Sequence, residues 1–274
     1  MRRREFIARL GGAAAMPLIG ILCIISSQQG QAQLAGCTAG SICIADQAEA
    51  AVTRPDQTFA VTKPNDPLGS ERCPGTPVDV TTASPDEHRL ACSAARDAIQ
   101  LLGRCGIRPR QALHVHILSE VRHPFSGTIL GLLDTKRDRI LVTQIANIPS
   151  LVKDTPYARL PQRDFYRSLI VHEVVHGIMH QNLKRPASSH AAYEYPAYAL
   201  QIESLTRPVR NKFLRSFDQS KIETGSLFSD AVLSFDPYHF AARAYHHFKA
   251  LGNGCAHLSA LLEGDVTFIA PPRI

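Results

Sequence analysis

Two histidines and a glutamate sit inside a stretch that has almost no face to turn toward water. Pro161 opens a run to about Leu183 that ends in Lys184-Arg185-Pro186, a favourable start and stop for one long helix. At ~3.6 residues per turn, Phe165, Leu169 and Met179 share the face of His172 and His176, while Ile170, Val174 and Ile178 occupy the opposite face. A helix that is apolar nearly all round is a buried helix. Burying two imidazoles and a carboxylate is costly unless something satisfies them. The run therefore predicts a core helix carrying a polar cluster, which restricts the chain's folds more than any bulk property.

The cluster reads His172-Glu173-Val174-Val175-His176, an HExxH pattern. Positions i and i+4 lie on one helix face, so both imidazoles can hold one cation. Glu173 is rotated ~100° from His172. It is placed to take a proton from a water activated by that cation. Zinc lowers the pKa of such a water to ~7 and polarises a carbonyl. Carboxylate as base, water as nucleophile and metal as Lewis acid form one hydrolytic mechanism. The plain alternative is a polar cluster satisfied by hydrogen bonds alone.

A metzincin would carry Gly at 179 and His at 182, where this chain has Met179 and Asn182. The remaining pattern, residues 172–205, resembles the gluzincins. That resemblance implies a zincin-like α+β fold, with a small mixed sheet packed on the HExxH helix and a following helix that bears a glutamate. It implies Zn2+ held by His172, His176 and Glu194, with Glu173 as general base. Glu194 lies 18 residues after His176, across a turn at 184–189. Glu203 is the alternative third ligand. His180 sits ~12 Å along the axis from His172, and His190 lies close to the turn. The resemblance also implies a peptide or protein substrate bound in extended form along an edge strand, a part that residues 139–145 are placed to play. Two departures stand out. Pro196 falls two residues after Glu194, where it would kink or restart a helix, and Tyr198 and Gln201 stand where gluzincins carry an acid that orients a histidine. An oxyanion stabiliser is expected. Tyr245 is the candidate, with His239 and His246 as alternatives, and His114 with His116 form a candidate second metal pair.

The rest of the chain reads as α+β. Ser84, Pro85 and Glu87 form a capping box with proline at the first helical position, opening a helix through Leu90, Ala94, Ile99 and Leu102 that stops by Gly106. Residues 112–121 alternate as a strand, and 128–133 and 139–145 read as two more around a turn at 134–138. Helices are predicted over 189–205, near 210–217, and over 237–251 and 255–262. Residues 33–84 are rich in Pro, Gly, Thr and Asp without a sustained period and read as irregular, held by Cys37, Cys43 and Cys73. The domain reading is thus an export signal over 1–32, an irregular segment over 33–84 and a metallopeptidase domain over 85–274.

Arg2-Arg3-Arg4, then Glu5-Phe6-Ile7 and an uncharged run over 10–27, predict a signal peptide that resembles the twin-arginine type, with cleavage after Ala32. The expected destination is the periplasm or the medium. The alternative is an uncleaved anchor at 10–27, although the most apolar part is short of the ~20 residues a span needs. Cys37 ends a lipoprotein-like Leu34-Ala35-Gly36-Cys37, but polar residues 26–33 separate it from the apolar run. With Cys23 removed, Cys37, Cys43, Cys73, Cys92, Cys105 and Cys255 form an even set that fits three disulfides in an oxidising compartment. The net charge of +6 is scattered, without a basic stripe interleaved with aromatics, which argues against nucleic acid as partner. The expected function is an exported zinc-dependent hydrolase of metallopeptidase type. The competing expectation is a disulfide-stapled exported binding or structural protein whose metal site is structural or vestigial. Glu173 favours the first, because a structural site has no need of a base.

Overall fold

The alternation at Leu113, Val115 and Ile117 emerges as the central strand of a mixed sheet. The computed structural model describes residues 69–123, 127–187, 189–217, 228–266 and 268, all within one compact unit, Leu34–Ile274. Its strands are β1 (Ser70–Arg72), β2 (Val78–Thr81), β3 (Leu113–Leu118), β4 (Val121–His123), β5 (Gly127–Ile129), β6 (Gly131–Asp134) and β7 (Arg139–Thr143). Its helices are α1 (Pro85–Gly103), α2 (Ile148–Val152), α3 (Gln162–Asn182), α4 (His190–Ser204), α5 (Arg207–Leu214), α6 (Asp230–Phe235), α7 (Pro237–Ala250) and α8 (Gly254–Glu263). The signal peptide at 1–32, the anchor at 10–27, Cys37 and Cys43 lie outside the described residues. Among the described residues no helix is long and apolar enough to cross a membrane.

The five-stranded sheet runs β1-β2-β3-β7-β6. β2, β3 and β7 are parallel, whereas β1 and β6 run antiparallel to their neighbours. Two expectations are corrected here. The stretch over 33–84 contains β1 and β2, so the folded domain begins before residue 85. Residues 139–143 are not an edge: β7 pairs with β3 on one side and β6 on the other. The turn after Asp134, closed by Asp138 in the left-handed region (φ 48), folds β6 back along β7 and makes β6 the outer strand on that side, opposite β1.

Helices α1 and α3 pack on the sheet, α4 packs on α3, and α7 packs on α4. α3 lies close because of Gly177, where a Cβ would stand 2.8 Å from Leu113 Cδ2. The β4–β5 pair closes a smaller cluster with Leu132 and Leu141. Buried Thr143 pins that pair by accepting from the Val121 N–H (3.2 Å) and donating to the Ile129 carbonyl (2.7 Å). At α1 the Ser84 hydroxyl caps the Glu87 N–H as expected, but Glu87 does not reciprocate. Its carboxylate accepts from the Ile145 N–H (2.8 Å) and the Thr82 hydroxyl (3.2 Å), tying the helix start to the end of β7.

Cys73 is bonded to Cys92, and Cys105 to Cys255, 150 residues apart. Two disulfides are consistent with an exported protein. The second ties the end of α1 to α8. Its removal by Cys105→Ala with Cys255→Ala is expected to cost about 2–4 kcal/mol, read as a lower midpoint in urea unfolding.

Candidate metal centre

α3 runs unbroken from Gln162 to Asn182, with Phe165, Tyr166 and residues 168–179 buried, as its all-round apolar pattern requires. α4 begins at a Ser189 cap, whose hydroxyl accepts from the Ala192 N–H, and Asp230 accepts from the Ala191 N–H at 2.7 Å. Pro196 neither stops nor restarts it, and one helix spans His190–Ser204. The α3–α4 hairpin returns Glu194 to the histidine pair.

His172 Nε2 and His176 Nε2 are 2.9 Å apart. Glu194 Oε2 lies 3.3 Å from the first and Glu194 Oε1 3.5 Å from the second. A tetrahedral zinc with Zn–N of ~2.0–2.1 Å would hold its ligand atoms ~3.3 Å apart. The three side chains therefore converge near the spacing one such ion needs, one ligand atom from each lying within 4.8 Å of the others, and a small parting of the imidazoles completes it. At His176 and Glu194 the protonation suits a cation as well. Burial lowers His176 to about 4 although the Glu194 carboxylate favours its charged form, so the ring is neutral at pH 7. Burial pushes Glu194 up, but His176, His172 and His190 outweigh it and hold the carboxyl well below the usual range. Neutral imidazoles and an ionised carboxylate are the forms that bind a divalent metal.

The cluster is poorly satisfied by protein alone. Neither oxygen of Glu194 or Glu173 has a donor at hydrogen-bond geometry, and His176 Nδ1 lacks a partner as well. All four residues are at most 1% exposed. Buried carboxylates in that state are costly. Burial and the neighbouring Glu194 charge push Glu173 well above the usual carboxylate range. A cation between the imidazoles would oppose the second effect and satisfy the orphaned Glu194 oxygens.

Two further residues support the cluster, Gln201 at the position the sequence marked and Gly131, which carries no signal in the sequence. Gln201 Oε1 is 3.0 Å from His172 Nδ1, so an amide fills the place of the expected acid. By accepting from Nδ1–H it leaves the Nε2 lone pair directed at Glu194 and His176. Gly131 on β6 faces Glu173: a Cβ there would lie 2.3 Å from Glu173 Oε1. Glycine is what admits the carboxylate beside the outer strand.

The alternative candidates have other surroundings. Glu203 is tied to Lys249 (3.1 Å) and Arg210 (3.3 Å). His190 approaches Glu194 Oε1 at 3.5 Å but does not join the converging set. His180 does not join it either. His114 reaches Asp79 at 3.6 Å, and among the described residues it forms no ligand group with His116. His239 is held by Asp236 at 2.8 Å. His246 packs against Tyr245.

Tyr245 stands apart from the converging set. Arg210 stands over its ring at 5.5 Å and Glu203 engages its hydroxyl. Glu203 is nine residues beyond Glu194 on α4, ~13 Å along the axis, so Tyr245 serves the far end of that helix. Tyr198 packs its ring on His172 at 4.6 Å between centroids, and Tyr157 is a second phenol that feels the Glu194 charge. Its hydroxyl is buried without a partner, its ring stacks on Phe165 at 4.5 Å, and burial together with Tyr238 and Glu194 pushes its pKa up. The sequence signal for it is only an aromatic residue in the turn before α3.

No curated protein and no solved structure matches the chain. The family model that does match covers residues 78–271, from β2 through α3 and α4 to beyond α8, and on that match the chain belongs to the Family of unknown function (DUF6639).

Proposed function

We propose that this protein is an exported zinc-dependent hydrolase, a metallopeptidase of the zincin type resembling gluzincins. The observation that carries the reading is the convergence of His172, His176 and Glu194 at ligand spacing beside a buried, unpartnered Glu173. Zinc, when bound there, supplies a Lewis acid that polarises a carbonyl and brings a water's pKa to ~7. Glu173 takes the proton of the attacking water and returns it to the leaving amine. Gly131 leaves room for the carboxylate, Gln201 fixes the His172 tautomer, and Tyr157 donates to the developing oxyanion in place of Tyr245. An extended peptide would lie along β6, the outer strand, rather than along β7.

Gln201→Leu is expected to weaken zinc binding roughly 10–100-fold, read by competition with a chelator, while far-UV circular dichroism stays unchanged.

One observation favours the second reading, a binding or structural protein with a non-catalytic metal site. The four central residues are almost wholly enclosed, as a structural metal would be. Hydrolysis requires that the cover over them move. The deciding experiment offers a fluorogenic peptide library to zinc-loaded protein, then removes and restores the metal. Cleavage that chelation abolishes and zinc restores supports the hydrolase. Stoichiometric zinc without any cleavage supports the second reading.

A further inference from the structure

A second set of ligand-type side chains lies where the β1–β2 turn meets α1. Cys73 and Cys92 are buried and disulfide-bonded, and His88 stands one helical turn before Cys92. His88 Nε2 is 3.6 Å from Cys92 Sγ and 3.8 Å from Glu71 Oε2. One donor atom from each of Cys73, His88 and Cys92 lies within 4.8 Å of the other two. A tetrahedral ion with Zn–S of ~2.3 Å and Zn–N of ~2.0–2.1 Å holds nitrogen and sulfur ~3.6 Å apart. His88 already stands at that separation. That separation is to Cys92 Sγ; the two sulfurs must part to ~3.8 Å, which side-chain rotation allows between Cα atoms 5.2 Å apart, and Cys73 Sγ must come to a like distance from His88.

We propose that the reduced chain holds a thiophilic divalent cation of the zinc class through Cys73, Cys92 and His88, with Glu71 or water in the fourth position, and that oxidation exchanges this ion for the disulfide. The exchange balances. An external dithiol gives two electrons and two protons to the S–S bond, forming two thiols, and becomes a disulfide itself. Binding of the cation then releases both thiol protons. Oxidation by a disulfide of the same class reverses the sequence and frees the ion. The β1–β2 turn is thus cross-linked to α1 in either redox state, once by sulfur alone and once by metal. The inference is independent of the hydrolase reading.

Cobalt(II) added to the full chain, oxidised and phosphine-reduced, tests it, with far-UV circular dichroism followed in parallel. Thiolate ligation gives sulfur-to-cobalt charge-transfer absorption in the near ultraviolet. Imidazole and carboxylate ligands give none, so His172, His176 and Glu194 are silent and failure of either proposal is seen separately. The band is expected to be absent from oxidised protein and to appear on reduction. It is also expected to persist in Cys105→Ser with Cys255→Ser, to vanish in Cys73→Ser with Cys92→Ser, and to need at least about tenfold more cobalt in His88→Ala. No band on reduction, a band undiminished in His88→Ala, or loss of the helical signal on reduction even with cobalt present would each overturn the proposal.

Discussion

Glu173→Gln is expected to lower the rate of peptide hydrolysis by ~10²–10⁴-fold while leaving zinc bound at the parent level. Glutamine keeps the length and volume of the side chain but cannot take a proton from water. His172, His176 and Glu194 are untouched, so zinc affinity stays near that of the parent. Stability gives an independent readout. Both Glu173 oxygens are buried without donors, and burial with the Glu194 charge disfavours ionisation. Replacing that carboxyl by a neutral amide removes a strained group, so the metal-free variant should melt no lower than the metal-free parent. A single-turnover assay with calorimetry on the same preparation checks both. A variant that loses zinc and activity together would give Glu173 a ligand's part instead of a base's.

Gly131→Ala is expected to cost at least ~100-fold in activity, because misplacement of a catalytic group by ~1 Å has effects of that size. The added Cβ would stand 2.3 Å from Glu173 Oε1 and 2.7 Å from Cδ, so the carboxylate must move or β6 must shift. Overpacking of this kind also costs about 1–3 kcal/mol of stability. Gly177→Ala is the control. Its Cβ would press on Leu113 Cδ2 at 2.8 Å, on the sheet side of α3, where a similar stability loss should bring no comparable loss of activity per folded molecule. Equal effects of the two substitutions on kcat, normalised to folded protein, would remove Gly131 from the site.

The parts of this molecule that were readable in advance are those fixed locally. α3 was legible because apolar residues surround His172 and His176 on every face, and α1 because Ser84-Pro85 marks its start. β1 and β2 were not, because three- and four-residue strands in a Pro/Gly/Thr-rich stretch offer only Val78 and Val80 as alternation. That β6 rather than β7 is the outer strand depends on pairing after the turn, which periodicity does not encode. Glu194 was legible only through the gluzincin resemblance, and its return to the histidines depends on a hairpin. Gly131 meets Glu173 across 42 residues, a contact decided by how β6 crosses α3. The stretch around Tyr245 advertised polar aromatics without saying which way α7 would turn them, and Arg210 and Glu203 claimed that side chain.

Zinc analysis combined with zinc-edge X-ray absorption on the purified full chain tests the central claim most directly. One zinc per chain is expected, with two nitrogen ligands at ~2.0–2.1 Å and a carboxylate oxygen at a like distance, and that zinc should be lost in Glu194→Ala. A folded protein that takes up no zinc, or equal uptake by the Glu194→Ala variant, would contradict it.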